Sequence, residues 1–218
     1  MFVKTKMTTN PFTISPDHTV PEAHEIIAEH GVKRLPVIHK GKLVGVVSKE
    51  DIDRYSPSKA TSLSMGEITY LLAKTKVKQI MAKDVITVSP NALLEEAAIL
   101  MRDNKVSFLP VVDKKDGLVG IITESDIFDS FIELLGFREY GTRLTIEVND
   151  EPGIMSNLTS IIGQFGANIT RVAVYRGLNG KSSIVVGINS FNTTEIEKAI
   201  EKTGFTILHK LENKDRSL

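Results

Sequence analysis

The sequence GVVSKEDID, Gly45 to Asp53, returns later in the chain as GIITESDIF, Gly120 to Phe128. Each copy has a glycine, three residues that end in Ser or Thr, two polar residues and an aspartate. A hydroxyl residue placed three residues before an acidic one is a common helix start. The pair therefore has three interpretations: a catalytic site, a helix cap used twice, or two copies of a binding site.

The similarity extends well beyond this motif. Met7 to Ile38 aligns with Met81 to Val112 without a gap, and one extra residue before Gly117 then brings the two motifs into register. The identical pairs are Met7/Met81, Thr13/Thr87, Ser15/Ser89, Pro16/Pro90, Glu22/Glu96, Ala23/Ala97, Val32/Val106, Leu35/Leu109, Pro36/Pro110 and Val37/Val111. Such an internal repeat indicates a duplicated structural unit, so we expect two similar halves that pack face to face.

Each copy predicts the same order of elements. A short strand (Phe12 to Ile14; Ile86 to Val88) precedes an amphipathic helix, two apolar strands and a second helix. Thr19-x-x-Glu22 is a capping box for the first helix. Gly41 and Gly117 each join two apolar runs, as in a β-hairpin.

Composition excludes several classes of function. The chain has 218 residues, no cysteine, and 27 basic against 27 acidic residues. A neutral balance does not favour nucleic acid or an anionic membrane as a partner, and the lack of cysteine removes disulfides and thiolate chemistry. No apolar run approaches the ~20 residues of a membrane helix. We therefore expect a cytoplasmic protein.

The repeated pattern resembles the cystathionine-β-synthase (CBS) repeat, two of which form a Bateman module. The resemblance rests on Met-x-x-x before a strand, on Leu-Pro-Val, and on Gly-(apolar)3 followed by Ser/Thr-x-x-Asp in both copies. It implies a regulatory site for an adenine nucleotide such as AMP, ADP or ATP, or an adenosyl compound like S-adenosylmethionine, and no required cofactor. The expected module covers residues 1–135, with repeat one at about 3–55, a linker helix at about 56–76, and repeat two at about 77–135.

The resemblance also implies roles for individual residues. In repeat two, Asp126 would hold the ribose and Thr123 and Ser125 would line the phosphate side. The base would lie against Ile86, Leu109 and Pro110. In repeat one, Ser48 and Asp51 would take the same roles, and Arg34 could meet a phosphate.

The chemistry of a nucleotide fits these residue types. One carboxylate can accept both hydroxyls of a ribose, and a hydroxyl near a helix start suits phosphate. Glu50 replaces Ser125 at the equivalent position, which disfavours an anion there. We therefore expect two unequal sites, with the second the better one for a nucleotide.

Between the repeats, Ser64-x-x-Glu67 predicts a helix that continues through Ile68, Leu71 and Leu72. A linker helix that covers the sheet is the simplest interpretation. The segment Ser56 to Met81 also resembles the insertion of proteins named for acetoin utilisation.

After Thr142 the pattern changes to strand, helix, strand, strand, helix and strand, which is the ferredoxin-like order. The sequence IEVNDEPGIMSNLTSIIGQFGANI is similar to the ACT domain, an amino-acid-sensing module, over residues 141–213. The fold class is therefore α/β (α+β), with a CBS pair before an ACT domain. An amino acid would place its carboxylate on the helix start at Gly153 and Ile154 and its ammonium on Asp150 and Asn168.

These features together predict a regulatory protein that is not an enzyme and that acts on an unidentified enzyme target. The alternatives are an enzyme acting on a nucleotide or acyl group in acetoin catabolism, and a ligand-free assembly adaptor. We also expect a homodimer or higher homo-oligomer, because one helix after Asp126 carries more apolar residues than a single face can bury. These are Ile127, Phe128, Phe131, Ile132, Leu134 and Leu135.

Overall fold

The structure is a computed structural model that describes residues 1–55, 74–115, 117–177 and 180–214. The chain divides into two compact units, Met1–Ile127 and Phe128–Leu218. Helices and strands occur in both units, so the predicted α+β class is confirmed. The predicted linker helix at Ser64 to Leu72 lies outside the described residues. Within the described ranges, no helix has both the length and the apolar character needed to cross a membrane.

The duplicated elements lie in the first unit, except that the last of them, the helix Glu124–Leu134, continues past Ile127 into the second. Repeat one has β1 (Thr8–Thr9), α1 (Val20–His30), β2 (Arg34–His39), β3 (Lys42–Ser48) and α2 (Lys49–Tyr55). Repeat two has α3 (Val77–Ile80), α4 (Leu94–Asn104), β4 (Phe108–Asp113), β5 (Gly117–Thr123) and α5 (Glu124–Leu134). The strands of β2 and β3, and of β4 and β5, pair as antiparallel hairpins, as the sequence predicts.

Local sequence explains where these elements begin and turn. Thr19 and Glu22 form the predicted capping box: the Glu22 N–H donates to the Thr19 hydroxyl, and the Glu22 carboxylate accepts from the Thr19 N–H at 2.6 Å. Gly41 turns the first hairpin with a φ of 77° and Gly117 the second with 72°, a region that favours glycine. The structure has only an isolated β-bridge in place of each predicted first strand. Ile14 pairs with Val37 where Phe12 to Ile14 was predicted, and Val88 pairs with Val111 where Ile86 to Val88 was predicted.

Each repeat has its own core, and the two repeats also exchange a short segment. The fully buried Leu35 lies in the core of repeat one and the fully buried Leu109 in that of repeat two. In β1, Thr8 pairs with Ile121 of repeat two, and at the equivalent place Ala82 pairs with Val46 of repeat one. Each repeat therefore contributes its first segment to the sheet of the other. As a result, each of the two sheets contains residues from both repeats.

The second unit has the ferredoxin-like order predicted from the sequence. Its elements are β6 (Gly141–Asn149), α6 (Ile154–Gln164), β7 (Ile169–Arg176), β8 (Lys181–Ile188), α7 (Thr194–Lys202) and β9 (Thr206–Asn213). The four strands form one antiparallel sheet in the order β7, β8, β6, β9. A core that includes Leu144, Leu158 and Ile200 packs the two helices on this sheet.

Candidate functional site

The Ser/Thr-x-x-Asp motif forms the same reciprocal helix cap in both repeats. In repeat one the Ser48 N–H and hydroxyl donate to Asp51 Oδ2 at 2.9 and 2.6 Å, and the Asp51 N–H donates to the Ser48 hydroxyl at 3.1 Å. In repeat two Thr123 donates to Asp126 Oδ2 at 2.7 Å from both its N–H and its hydroxyl, and the Asp126 N–H returns a bond of 3.4 Å. The capping interpretation of the motif is therefore realised twice.

The glycine of the motif is explained by the exchanged segment. A Cβ added at Gly45 would lie 2.8 Å from the Ala82 carbonyl oxygen, and one added at Gly120 would lie 2.8 Å from the Thr8 carbonyl oxygen. Only a residue without a side chain lets the other repeat's backbone approach this closely. The glycine is thus needed so that the first segment of one repeat can pack against the sheet of the other. The spacing of the motif alone does not predict this role.

A first cavity, of about 140 Å³, opens beside the cap of repeat one. Ser48 and Asp51 border it on one side. Its other described walls are Arg34, Val46, Ala82, Asp84, Val85, Ile86, Val106 and Phe108. Ile86 therefore faces the motif of repeat one, whereas the sequence placed it with the motif of repeat two. The cause is the exchange of first segments, which carries residues after Ala82 to the sheet of repeat one.

A second cavity, of about 450 Å³, opens beside the cap of repeat two. Thr123 and Ser125 border it as the sequence predicts, and Arg34 faces them from repeat one. Its other described walls are Val32, Lys33, Glu50, Ser107, Phe108, Ile121 and Glu124. Two basic and two acidic side chains therefore share this wall with hydroxyl groups.

Arg34 and Phe108, which occupy equivalent positions in the two repeats, meet where the two cavities adjoin. The Arg34 guanidinium carbon lies 4.9 Å from the centroid of the Phe108 ring, a cation–π distance. Both residues line both cavities. The guanidinium is thus held between the cavities and is within reach of a ligand in either.

Glu50 borders the second cavity, and not the first as its place in repeat one suggested. Successive residues of a helix point about 100° apart, so Glu50 and Asp51 face different sides of α2. The pKa of Glu50 is lowered, chiefly because its carboxylate accepts a hydrogen bond from its own backbone N–H. Arg34 and the Ser48 hydroxyl lower the pKa further, against the opposing effect of burial and of the Asp51 charge.

Three predicted residues lie outside the described walls of both cavities. Leu109 is fully buried in the core of repeat two, and Pro110 is buried beside it in β4. Asp126 is half-buried at the start of α5 and is the residue after Ser125, so its side chain points to a different side of the helix. The structure therefore brings Thr123, Ser125 and Arg34 together at the second cavity, and Asp126, Leu109 and Pro110 are not part of its described wall.

In the second unit, the turn predicted to bind an amino acid has a glycine start and a nearby cation. Gly153 precedes α6 with a φ of 88°. The Ile154 N–H, which the sequence offered to a carboxylate, donates to the Glu151 carbonyl at 3.5 Å. Asp150 has its Oδ2 3.9 Å from Arg176 Nε, and both side chains are largely exposed.

The structure does not bring Asn168 to this turn. Asn149, next to Asp150, pairs with Lys181 at one end of β8, whereas Ile169, next to Asn168, pairs with Ile188 at the other end. At ~3.3 Å per residue the two ends are roughly 23 Å apart. The prediction of a shared site within one chain was wrong on this point, because a helix returns the chain to the opposite end of the sheet before Asn168.

Asn168 lies instead at the end of the sheet where a polar cavity opens. Its N–H donates to the Asn189 side-chain oxygen at 2.8 Å, and its carbonyl accepts from the Asn189 N–H at 3.1 Å. A cavity of about 430 Å³ there is bordered by Phe165, Gly166, Ala167, Asn189, Ser190, Asn192, Glu195 and Ile196. Across the described part of the chain, no group of three or more His, Asp or Glu side chains is placed to hold a metal ion.

Family profiles match most of the chain. The CBS domain matches residues 3–58 and 77–133, and the ACT domain matches residues 142–205. Among curated proteins, an inosine-5'-monophosphate dehydrogenase of Korarchaeum cryptofilum is 31% identical over 167 residues, which are 77% of this chain and 32% of that protein. The chain thus spans about a third of the length of this relative.

Two solved structures are similar to the CBS pair. A Vibrio cholerae protein assigned to acetoin utilization (AcuB) is 34% identical with a TM-score of 0.52, over 64% of this chain and 96% of that one. CBSX2 of Arabidopsis thaliana, solved in complex with AMP, is 30% identical with a TM-score of 0.50, over 61% of this chain and 96% of that one. The chain belongs to the CBS domain family and carries an ACT domain after its pair of CBS repeats.

Proposed function

We propose that this protein is a regulatory nucleotide sensor whose CBS pair binds an adenine nucleotide, with base and ribose in the first cavity. The observation that carries the proposal is the meeting of an apolar wall, the Asp51 carboxylate and the Arg34 guanidinium around one space. These are the three kinds of group that a nucleotide's base, ribose and phosphate require.

The base fits the apolar side of the first cavity. Val85, Ile86 and Val106 supply aliphatic surface there, and the Phe108 ring closes one edge. The volume of about 140 Å³ is below the ~300–1,000 Å³ that usually encloses a whole small ligand. We therefore place only the base and ribose in this cavity, with the phosphate in the larger cavity that adjoins it.

The ribose and phosphate have matching partners on the first repeat. Asp51 can accept the ribose hydroxyls as a carboxylate does, in addition to the Ser48 bonds that hold its Oδ2. Lys33 and Arg34 in the adjoining cavity supply positive charge for a phosphate, and Glu50 opposes it. This balance favours a nucleotide with few phosphates, so AMP is the ligand that we expect to bind best.

The predicted site of repeat two is the competing location. There Asp126 would hold the ribose and Thr123 and Ser125 would face the phosphate. The volume of about 450 Å³ supports a larger ligand, but a larger share of this wall is polar than in the first cavity. Parallel substitution of Asp51 and Asp126 decides between the two locations.

A regulatory role is supported by the hydroxyl groups of the motif. Ser48 and Thr123, the candidate nucleophiles, donate their hydroxyls to the carboxylates that cap the same helices. CBSX2 in complex with AMP supports the choice of ligand. The likeness to the Vibrio cholerae protein makes acetoin utilization the context in which we propose to search for a regulated enzyme.

Calorimetric titration with AMP, ADP, ATP, NAD and S-adenosylmethionine tests the proposal. We expect AMP to bind intact and to raise the melting temperature, because a ligand that binds only the native state stabilises it. Conversion of the nucleotide to a product would support the enzyme alternative. No binding and no shift with any of these compounds would leave the adaptor alternative.

For the ACT unit we propose a small amino acid at the turn Asp150 to Gly153. The exposed carboxylate of Asp150 and the glycine start of α6 support this location. Asp150→Ala should abolish a thermal shift caused by an amino acid and preserve the shift caused by AMP. Loss of both shifts would contradict two separate sites, and no shift from any common amino acid would remove the ACT site.

We also propose that the chain forms a homodimer through α5. Phe128, Phe131 and Leu134 of this helix are 65%, 56% and 57% exposed. Exposed apolar residues on one helix usually mark a contact surface. Sedimentation at micromolar concentration should give a dimer in the wild type and a monomer in Phe128→Ser/Phe131→Ser. A monomeric wild type, with and without AMP, would contradict the proposal.

A further inference from the structure

The turns of the two β-hairpins of the CBS pair come together and bring their basic residues into one place. A Cβ added at Gly117 would lie 3.1 Å from the Gly41 carbonyl oxygen, so the two turns are in contact. The first turn has Lys40 and Lys42 on either side of its glycine, and the second has Lys114 and Lys115 before its glycine. The duplication thus concentrates lysines at one end of the unit.

A cavity of about 430 Å³ lies beside these turns, and we name it the hairpin cavity. Three lysines border it: Lys42, Lys83 and Lys114. The rest of its described wall is Gly41, Leu43, Val44, Val85, Thr87, Val112, Asp113, Gly117 and Leu118. Its aliphatic side chains are half-buried, so the hairpin cavity has an apolar floor and a basic rim.

The three lysines are not paired with an acidic side chain in the part of the chain that the structure describes. None of them makes a hydrogen bond or an ion pair there, whereas Lys181, Lys198 and Lys210 are each paired with a glutamate. Asp113 is the one acidic residue in the described wall, and its carboxylate accepts a bond of 2.8 Å from the Lys115 N–H within the turn. In a chain with equal numbers of basic and acidic residues, this is a local excess of positive charge.

The hairpin cavity is distinct from the proposed nucleotide site. The extended segment after Met81 separates the two, and its side chains alternate between them as in a strand. Ala82, Asp84 and Ile86 border the first cavity, whereas Lys83 and Thr87 border the hairpin cavity. Val85 borders both, so a ligand in one cavity lies one side chain away from the other.

We infer that the hairpin cavity binds a small organic phosphate, with the phosphate group among Lys42, Lys83 and Lys114 and the carbon skeleton on the aliphatic floor. Lysine ammonium groups are common phosphate partners, and the uncharged floor favours an organic phosphate over inorganic phosphate. The Thr87 hydroxyl can donate to a phosphate oxygen from the same wall. This inference does not depend on the nucleotide proposal.

The test uses phenyl phosphate as the probe and inorganic phosphate as its comparison. Binding to the full chain is followed by the backbone amide signals of Gly41 and Gly117 in an NMR titration at low salt. Lys83→Gln/Lys114→Gln should weaken phenyl phosphate binding by roughly a hundredfold, since each of the two lost charge-assisted contacts contributes at least about one power of ten. The matched control is Lys105→Gln/Lys202→Gln, which removes two exposed lysines outside the wall and should bind as the wild type does.

Asp51→Ala, which alters the nucleotide cavity, should also bind phenyl phosphate normally. Equal weakening in the lysine double variant and its control would overturn the inference, and so would binding that is lost in Asp51→Ala instead. Absence of any shift at Gly41 and Gly117 at millimolar probe would overturn it as well. Equal affinity for inorganic phosphate would contradict the role of the apolar floor.

Discussion

In repeat one, the Ser48 and Asp51 cap opens α2 beside a small cavity whose wall includes the aliphatic side chains of Val46, Val85, Ile86 and Val106. In repeat two, the Thr123 and Asp126 cap opens α5 beside a cavity three times as large with charged walls. The hydrogen bonds of the two caps are the same, so the difference comes from the residues that each repeat meets in the other. The comparison shows that the repeated motif specifies where a helix begins. The residues that the other repeat places beside the motif specify the chemical character of the cavity.

The largest effect is expected in the cores, where the repeats are alike. Leu35 and Leu109 are equivalent and both fully buried, so Leu35→Ala and Leu109→Ala should each lower the free energy of unfolding by about 2–5 kcal/mol. Urea denaturation measures this. At temperatures where Leu109→Ala is folded, it should bind AMP normally, because Leu109 borders neither cavity. Weaker AMP binding in the folded variant would indicate that Leu109 contacts the base, as the sequence alone suggests.

The second test separates the cap from the site. Asp51→Ala and Asp126→Ala remove the same reciprocal cap, so both should cost about 0.5–2 kcal/mol of stability. Asp51→Ala should also weaken AMP binding by roughly ten- to a hundredfold, because it loses charge-assisted bonds to the ribose.

Each of these two variants is the control for the other, since their effects on folding match. Calorimetric titration at a temperature where both are folded gives the comparison. A larger loss of affinity in Asp126→Ala would move the ligand to repeat two, as the sequence alone suggested.

The third test concerns Arg34, which breaks the symmetry of the repeats because its counterpart is Phe108. Arg34→Ala should weaken AMP binding about tenfold through the lost phosphate contact. Adenosine, which lacks the phosphate, serves as the control ligand and should bind the variant and the wild type equally. A similar loss for adenosine would mean that Arg34 acts on the cavity wall through the Phe108 ring and not on the phosphate.

The smallest effect is expected when the two helix starts are made more alike. Glu50→Ser copies Ser125 into repeat one and removes a negative charge from the phosphate side, so AMP affinity should rise about two- to fivefold at low salt. High salt should reduce this gain. Unchanged or weaker binding at low salt would show that Glu50 does not face the phosphate.

The same residue gives a dependence on pH. The pKa of Glu50 lies below its ordinary value of 4.5, so the carboxylate is ionised at neutral pH. The gain from Glu50→Ser should therefore decrease as the AMP phosphate takes up its second proton near about pH 6, and it should vanish as the pH falls through the lowered pKa of Glu50. The contribution of ionised Glu50 to stability follows the same direction: it is present above the ordinary value and lost below the lowered pKa.

Local patterns in the sequence predicted most of the fold. The capping box at Thr19, the glycine turns of the hairpins and the element order of the ACT unit are confirmed because each depends on a few adjacent residues. The start of α7 does not follow such a local pattern: Thr193 is the N-cap, but its hydroxyl donates to Glu197 at 2.5 Å and accepts no hydrogen bond from the helix backbone. The Glu197 carboxylate, which is half-buried, is the acceptor there.

The candidate site was predicted less well, because it depends on contacts between the repeats. Nothing in a single repeat shows that the segment after Met81 crosses to the other sheet, so the sequence assigns Ile86 to the motif of repeat two, whereas Ile86 borders the cavity of repeat one. Asn168 was grouped with Asp150 because both flank the same helix, although the helix length separates them. The one local signal of the crossing was the glycine at positions 45 and 120, which the packing of the segments requires.

The reciprocal cap has a consequence for how such a chain diverges after duplication. A copy that loses its ligand still needs the hydroxyl and the aspartate to begin its second helix, so selection for folding preserves them. Residues such as Arg34 or Glu50 are under no such requirement and can drift. A genome search that uses Ser/Thr-x-x-Asp will therefore find folded repeats, whether or not they bind a ligand, and a search for sensors has to follow the residues that the partner repeat contributes.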